Sequence, residues 1–311
     1  MTYTLRPFDF DDLAAVVEMM NSSYADFGTD SSVRPEHLKL WLTDLNYELH
    51  IMTTADSALV GSVSFSYDSE IGIFWGEMTF APGHRRADVM HTLLDFAEER
   101  ARLRVSETAA RPVDIRFSVN RIADDVISIF EAHGYEYIRS AYRMSMTLDQ
   151  PIPDPVIPAG IELRPYDRER DLRAAHAAFV AAFSEHYGFQ AESFESWQQG
   201  VLSFPGDDQS LWLMAWEGEQ AVGFSFNRAL VSRPNAVWVS DIGVLKSHRQ
   251  RGLGEALLKS SFKLFQARGY TWVGLGVDGA NHTGALRLYE RAGMSVYLEF
   301  LSYRKLLLPA D

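Results

Sequence analysis

The chain contains no cysteine. Disulfides, thiolate metal ligands and a cysteine nucleophile are excluded together, so any covalent intermediate would need another residue. No apolar run approaches the ~20 residues that a membrane-spanning helix needs. The first residues, Met1-Thr2-Tyr3-Thr4-Leu5-Arg6, have neither the basic start nor the apolar block of a secretory signal. A cytoplasmic protein with no membrane partner is expected. Basic residues are scarce beside acidic ones, 29 Lys and Arg against 42 Asp and Glu for a net charge of -13. This argues against nucleic-acid binding, which depends on basic patches that neutralise phosphates. The same balance suits a cationic amine as small-molecule partner, and is equally a common solubility feature. The sequence has no GK[ST] triphosphate loop and no metal-ligand spacing, so no metal is expected.

What is present is globular in composition, 47% hydrophobic and 23% charged, and 311 residues are enough for two domains with their own cores. A repeat supports two. Thr4-Leu5-Arg6-Pro7-Phe8-Asp9 recurs in pattern as Glu162-Leu163-Arg164-Pro165-Tyr166-Asp167, and each is followed by an amphipathic run, 12–20 and 172–183. Val60-Gly61 answers Val222-Gly223, and Ala132-His133-Gly134-Tyr135 answers Arg291-Ala292-Gly293-Met294. Between the copies, 149–158 holds four prolines in ten residues, a stiff linker. The expected division is a first domain at 1–148, a linker at 149–159 and a second domain at 160–311. The alternation of strands and helices within each copy predicts an α/β fold, two tandem domains each with a mixed central sheet flanked by helices.

One turn organises the second copy. Arg249-Gln250-Arg251-Gly252-Leu253-Gly254 lies between a buried strand expected at 237–244 and an amphipathic helix expected at 255–268, which stops at Gly269. A glycine-rich turn that opens a helix offers unpaired backbone N–H groups and the positive end of the helix dipole to an anion. Gly252 and Gly254 would let the backbone approach a diphosphate, with Arg249 and Arg251 adding charge. The six residues fit a solvated basic helix cap equally well. Gly274-Leu275-Gly276-Val277-Asp278-Gly279 spells a dinucleotide-binding pattern, but its first four residues belong to a strand and no helix opens inside it.

The strand VWVSDIGV, the turn RQRGLG, the helix EALLKSSFKLFQARG, the strand TWVGLGV and the segment NHTGALRLYERAGM resemble the core of the GNAT superfamily of acyl-CoA N-acyltransferases. The paired arrangement resembles tandem members of that superfamily such as mycothiol synthase. The resemblance implies two tandem GNAT-type domains and acetyl-CoA as cosubstrate. It assigns the diphosphate to Arg249, Gln250, Arg251, Gly252, Leu253, Gly254 and Glu255, and the pantetheine arm to Ile242, Gly243 and Val244. Asn281 either caps the next helix or binds that arm. Tyr289 is either the acid that protonates the departing thiolate, whose pKa near ~8.5 asks only for a weak acid, or a packed aromatic.

An attacking amine must lose a proton. Asp241, expected on the same strand face as Val237 and Val239, is the candidate base; it is equally an anchor for the amine or a structural carboxylate. His282 is a second possible base. The acceptor pocket implied by the superfamily falls on Glu185, His186, Tyr187 and Trp197. Aligning His84-Arg85 with His248-Arg249 sets Glu77 opposite Asp241, Asp88 at Gly252, Met90 at Gly254 and Phe130 at Tyr289. Asp88 and Met90 would stand where the diphosphate rests, so the first domain is expected to be degenerate and without CoA. The expected function is acetyl-CoA-dependent N-acetyl transfer to a primary amine by direct attack, in a monomer or homodimer. The alternative is a noncatalytic acyl-CoA-binding regulator or scaffold.

Overall fold

A computed structural model describes residues 3–29, 32–68, 72–105, 113–185, 189, 191–203, 208–230, 233–280 and 284–307. The chain forms two compact units, Met1–Ala141 with Leu298–Asp311, and Tyr142–Tyr297. These bounds differ from the linear division at 148 and 160, and the closing strands are the reason.

The first unit runs β1 (Tyr3–Pro7), α1 (Leu13–Asp26), α2 (Pro35–Trp41), β2 (Tyr47–Thr54), β3 (Leu59–Asp68), β4 (Ile73–Phe80), α3 (Ala87–Val105), β5 (Val113–Asn120), α4 (Asp124–Ala132) and the start of β6 (Glu136–Thr147). Its sheet order β1-β2-β3-β4-β5 is completed by β12 (Ser295–Leu307). Phe300 to Leu307 of that strand lie antiparallel to β5, from opposite Asn120 to opposite Val113. Leu301, Tyr303 and Leu307 enter the first unit's core, each contributing about 1.5–3 kcal/mol of apolar burial. Lys305 holds both carboxylate oxygens of Glu98 on α3 at 2.8 Å.

The second unit runs from the end of β6 through β7 (Glu162–Pro165), α5 (Arg168–Phe183), α6 (Phe194–Ser203), β8 (Leu213–Glu217), β9 (Gln220–Ala229), β10 (Ala236–Val244), α7 (Leu253–Ala267), β11 (Trp272–Asp278) and α8 (Ala285–Arg291). Its sheet order is β7-β8-β9-β10-β11-β6, mixed, with β10 and β11 parallel. Met144 and Leu148, at the end of β6, belong to its core. Each unit therefore takes its last strand from the other half of the sequence.

Two faces of the second sheet are buried differently. On one, Val237, Val239, Val273 and Leu275 meet Leu258, Phe262 and Phe265 of α7. Ser261 of α7 donates to Ser225 (3.0 Å), which donates to Asn227 (3.0 Å), so the buried hydroxyls are satisfied by one another. On the other face, Phe224 and Phe226 pack with Ala175, Ala178 and Ala182 of α5 and with Trp197 and Trp212. Alanines bring α5 close to the sheet. Among the described residues no helix is long and apolar enough to cross a membrane.

Candidate active site

The parallel ladder of β10 and β11 runs from Ala236 opposite Trp272 to Val239 opposite Leu275 and stops. The antiparallel ladder of β10 and β9 continues to Val244 opposite Gly223. Beyond Val239, among the described residues, β10 is paired on its β9 side only, so the two parallel strands part there.

Where the strands part the β9 register shifts: Val239 faces Asn227, and Asp241 faces Phe226. Ser240 is the extra, exposed residue of a bulge. Side chains opposite one another in a ladder share a face, so the bulge turns Asp241 away from the Val237 and Val239 face and onto the face of Phe224, Phe226 and α5. The expectation that Asp241 shares the valine face is corrected by this one inserted residue.

Asp241 is half-buried, and among the described residues no hydrogen bond or ion pair is recorded for its carboxylate. Burial pushes its pKa up to about 6, and the Arg228 guanidinium pulls the other way. Tyr289 of α8 is buried. Burial, then the charge of Asp241, pushes its phenol up to about 12, so it is neutral and proton-bearing near neutral pH. An enclosed carboxylate that titrates near 6 is suited to accept a proton, and a protonated phenol to give one.

The turn after β10 has two left-handed residues, Gln250 (φ 61°) and Gly252 (φ 84°). The first helical hydrogen bond recorded there is from Ala256 to the Gly252 carbonyl, 3.0 Å, so the N–H groups of Leu253, Gly254 and Glu255 precede it, facing the space before α7. A Cβ on Gly252 would meet nothing within 4 Å. Gly252 is required by its φ and keeps open space at the helix mouth. Gly254 has another reason: its Cβ would lie 3.3 Å from Leu288 of α8.

The two arginines of the turn are engaged by carboxylates and carbonyls. Arg249 donates to the carbonyls of Val244 (3.2 Å) and Ala182 (3.0 Å) and to Glu185 (2.9 Å). Arg251 lies 3.3 Å from Glu217. Their charges are matched by carboxylates, so they brace the turn. Glu255 pairs with Lys259 at 2.7 Å.

Ile242 and Val244 turn toward α7 beside Leu253 and Leu257, leaving their backbone on the edge that β11 has left. Gly243 lies under Phe224, whose ring atom would stand 2.5 Å from a Cβ there. Glu185 is held by Lys246 (2.6 Å) and Arg249, which pull its pKa down. Trp197 is buried, 6.1 Å from the Phe226 ring and 6.2 Å from Phe179, so it backs the aromatic wall. Asn281, His282, His186 and Tyr187 lie outside the described residues. Phe226, Phe179 and Arg228 give no sign in the sequence of lying near Asp241, because only the bulge brings Asp241 to their face. Gly274 is accounted for by packing, since a Cβ there would stand 2.4 Å from the Trp272 ring.

The first unit has the same frame with different contents. Counted from the pairs Gly61–Phe80 and Gly223–Val244, Glu77 and Asp241 each stand three rungs in, which supports their alignment. Glu77, however, accepts from Tyr24 at 3.0 Å, and β4 has no bulge. Helix α3 starts seven residues after Phe80 (87 − 80), whereas α7 starts nine after Val244 (253 − 244). Of the residues aligned with the turn, 87–90 are thus already helical. Met90 is buried in the core and does not stand in a diphosphate's place, contrary to expectation. Asp88 is held by Arg86 (2.8 Å) and Tyr3 (2.8 Å).

A parallel pair that parts beyond Val239 and a left-handed glycine turn that opens a helix lie within residues 172–294, which match the acetyltransferase (GNAT) family. The chain is homologous to mycothiol acetyltransferases. The protein of that name from Thermobispora bispora is 31% identical over 178 residues, spanning 55% of this chain and 59% of that one. The one from Geodermatophilus obscurus is 28% identical over 265 residues, 82% and 81% of the two chains. Among solved structures, a GCN5-related N-acetyltransferase from Sphaerobacter thermophilus aligns with a TM-score of 0.82 at 26% identity, over 99% of this chain and 97% of that one. A tandem GNAT protein from the clavulanic acid biosynthesis pathway shares the fold, with a TM-score of 0.76 at 14% identity over 100% of both chains.

Proposed function

We propose that the chain transfers the acetyl group of acetyl-CoA to a primary amine by direct attack, where β10 and β11 part in the second unit. The observation that carries this reading is Asp241: a carboxylate at the splay, without a recorded hydrogen-bond or ion-pair partner among the described residues and raised to about 6, with the proton-bearing Tyr289 close enough to feel its charge.

The open space at Gly252 and the first-turn N–H groups of α7 fit a diphosphate, and the Ile242, Gly243 and Val244 backbone fits the pantetheine arm. When bound, acetyl-CoA supplies an activated thioester. Asp241 accepts the proton released as the amine nitrogen forms its bond to the acetyl carbon. Tyr289 gives its proton to the sulfur as the carbon–sulfur bond breaks. The sum is amine plus acetyl-CoA to amide plus CoA, with no acyl-enzyme.

In the same reading the first unit binds no CoA, because its α3 begins where a cradle would need an open turn, and it serves as scaffold. The test is release of CoA thiol with a broad panel of amines. Turnover that disappears in Asp241→Asn is expected. Tight acetyl-CoA binding with no turnover on any amine would favour a noncatalytic acyl-CoA-binding protein.

A further inference from the structure

One carboxylate closes the glycine turn from outside. Glu217 ends β8; its Oε2 accepts from Nε2 of His248 at 3.1 Å, and its Oε1 accepts from Arg251 at 3.3 Å. His248 first, then Arg251, holds the Glu217 carboxyl below its ordinary range, so near neutral pH it is ionised and can only accept. Nε2 of His248 therefore carries a proton, which leaves Nδ1 of the neutral ring to accept from the Ser247 hydroxyl at 2.8 Å. His248 is buried with both ring nitrogens engaged.

The two residues held by Glu217 bracket Gln250, whose φ of 61° is left-handed, a conformation that a residue with a Cβ resists. Such a residue persists only where its surroundings over-determine it. The first unit supplies the contrast. Counted from the pairs Met52–Gly61 and Ala215–Gly223, Glu217 corresponds to Thr54, which is uncharged and donates to Asp56. Nδ1 of His84, the residue aligned with His248, is buried without a hydrogen-bond partner among the described residues. The clamp is present where a left-handed turn opens the helix and missing where α3 starts early.

Resting on the proposed binding of acetyl-CoA, we infer that Glu217 is a positioning residue: through His248 and Arg251 it holds Gln250 left-handed, and with it the N–H groups at the mouth of α7 in the arrangement a diphosphate needs. Charge alone argues the reverse. A carboxylate beside an anion's seat repels the anion, so its removal should tighten binding, and freeing Arg251 should tighten it further. The sign of the effect separates the two. Without the clamp, the competent turn is populated only in the fraction of molecules that still meets the left-handed cost, and apparent affinity falls by that fraction. A fall of about tenfold is the scale of that cost.

The probe is CoA, its affinity measured by calorimetry for the parent, Glu217→Gln, Gln250→Gly and the double variant. Glu217→Gln should weaken CoA binding about tenfold. The KM for acetyl-CoA should rise to match with kcat little changed, and, because Glu217 is half-exposed, the melting temperature should barely move. Glycine takes a φ of 61° without the left-handed cost, so in the Gln250→Gly background the same substitution should weaken CoA about threefold or less. Affinity unchanged or tightened in Glu217→Gln, or an equal loss in both backgrounds, overturns the inference while CoA binding stands. A melting temperature lowered by several degrees would make Glu217 a support of the fold and overturns it as well. A parent that binds no CoA overturns the functional reading and the inference together.

Discussion

The Asp241 carboxylate and the Tyr289 phenol lie within one another's field. Burial raises both pKa values, and the charge on Asp241 adds to the rise at Tyr289. A carboxylate pushed up to about 6 beside a phenol pushed up to about 12 leaves a broad neutral window in which one is charged and the other is not.

Activity should follow the lower edge of that window. With Asp241 as base, kcat/KM is expected to be flat above pH about 6 and to fall about tenfold per unit below it. Asp241→Asn should lower turnover by on the order of 10² to 10⁴ and abolish this acid limb. A pH–rate profile of both proteins checks it; an unchanged limb in the variant would assign the titration elsewhere.

The same substitution should stabilise the fold. The folded value of Asp241 lies above the ordinary ~3.9, so the folded state binds the proton more tightly than the unfolded one. The unfavourable term is full above pH about 6 and vanishes below about 4, giving Asp241→Asn a gain of about 1–3 kcal/mol at pH 8 that shrinks as pH falls. Thermal melts at several pH values read this directly. A melting temperature lowered at pH 8 would mean that the carboxylate holds the structure together.

Tyr289→Phe removes the proton and keeps the ring. Turnover should fall by on the order of ten- to a hundredfold, with acetyl-CoA affinity nearly retained and the melting temperature little changed. If turnover is untouched, Tyr289 is packing.

Gly252 joins strain and access. Gly252→Ala should destabilise by about 1–2 kcal/mol, the left-handed penalty of an L-residue, since its Cβ meets no protein atom. Gly252→Asp should weaken acetyl-CoA binding by about tenfold or more through like-charge repulsion at the helix mouth, measurable by calorimetry. Equal affinities in both variants and the parent would place the diphosphate elsewhere.

Much of this was legible in the residues. The repeat, the strand before the glycine turn, the turn itself and the stop of α7 before Gly269 all follow from local periodicity and turn chemistry. The face of Asp241 was not, because alternation along VWVSDIGV gives no sign that Ser240 bulges; only pairing with β9 decides it. Met90 was misplaced for a related reason: similarity of spacing does not say that α3 starts earlier. The carboxylate partners of Arg249 and Arg251, Glu185 and Glu217, are not visible in the turn because they are distant in sequence. The exchanged closing strands were invisible, since β6 and β12 read alike as aromatic sheet.

That exchange sets a clock on biosynthesis. The first unit's strands β1 to β5 are made well before residues 300–307, so β5 lacks its β12 neighbour until those residues exist. Through the whole synthesis of the second unit, that edge of the nascent sheet stays uncovered, and an exposed edge is where strands pair wrongly. Wrong pairing at that edge is therefore possible until β12 has been made.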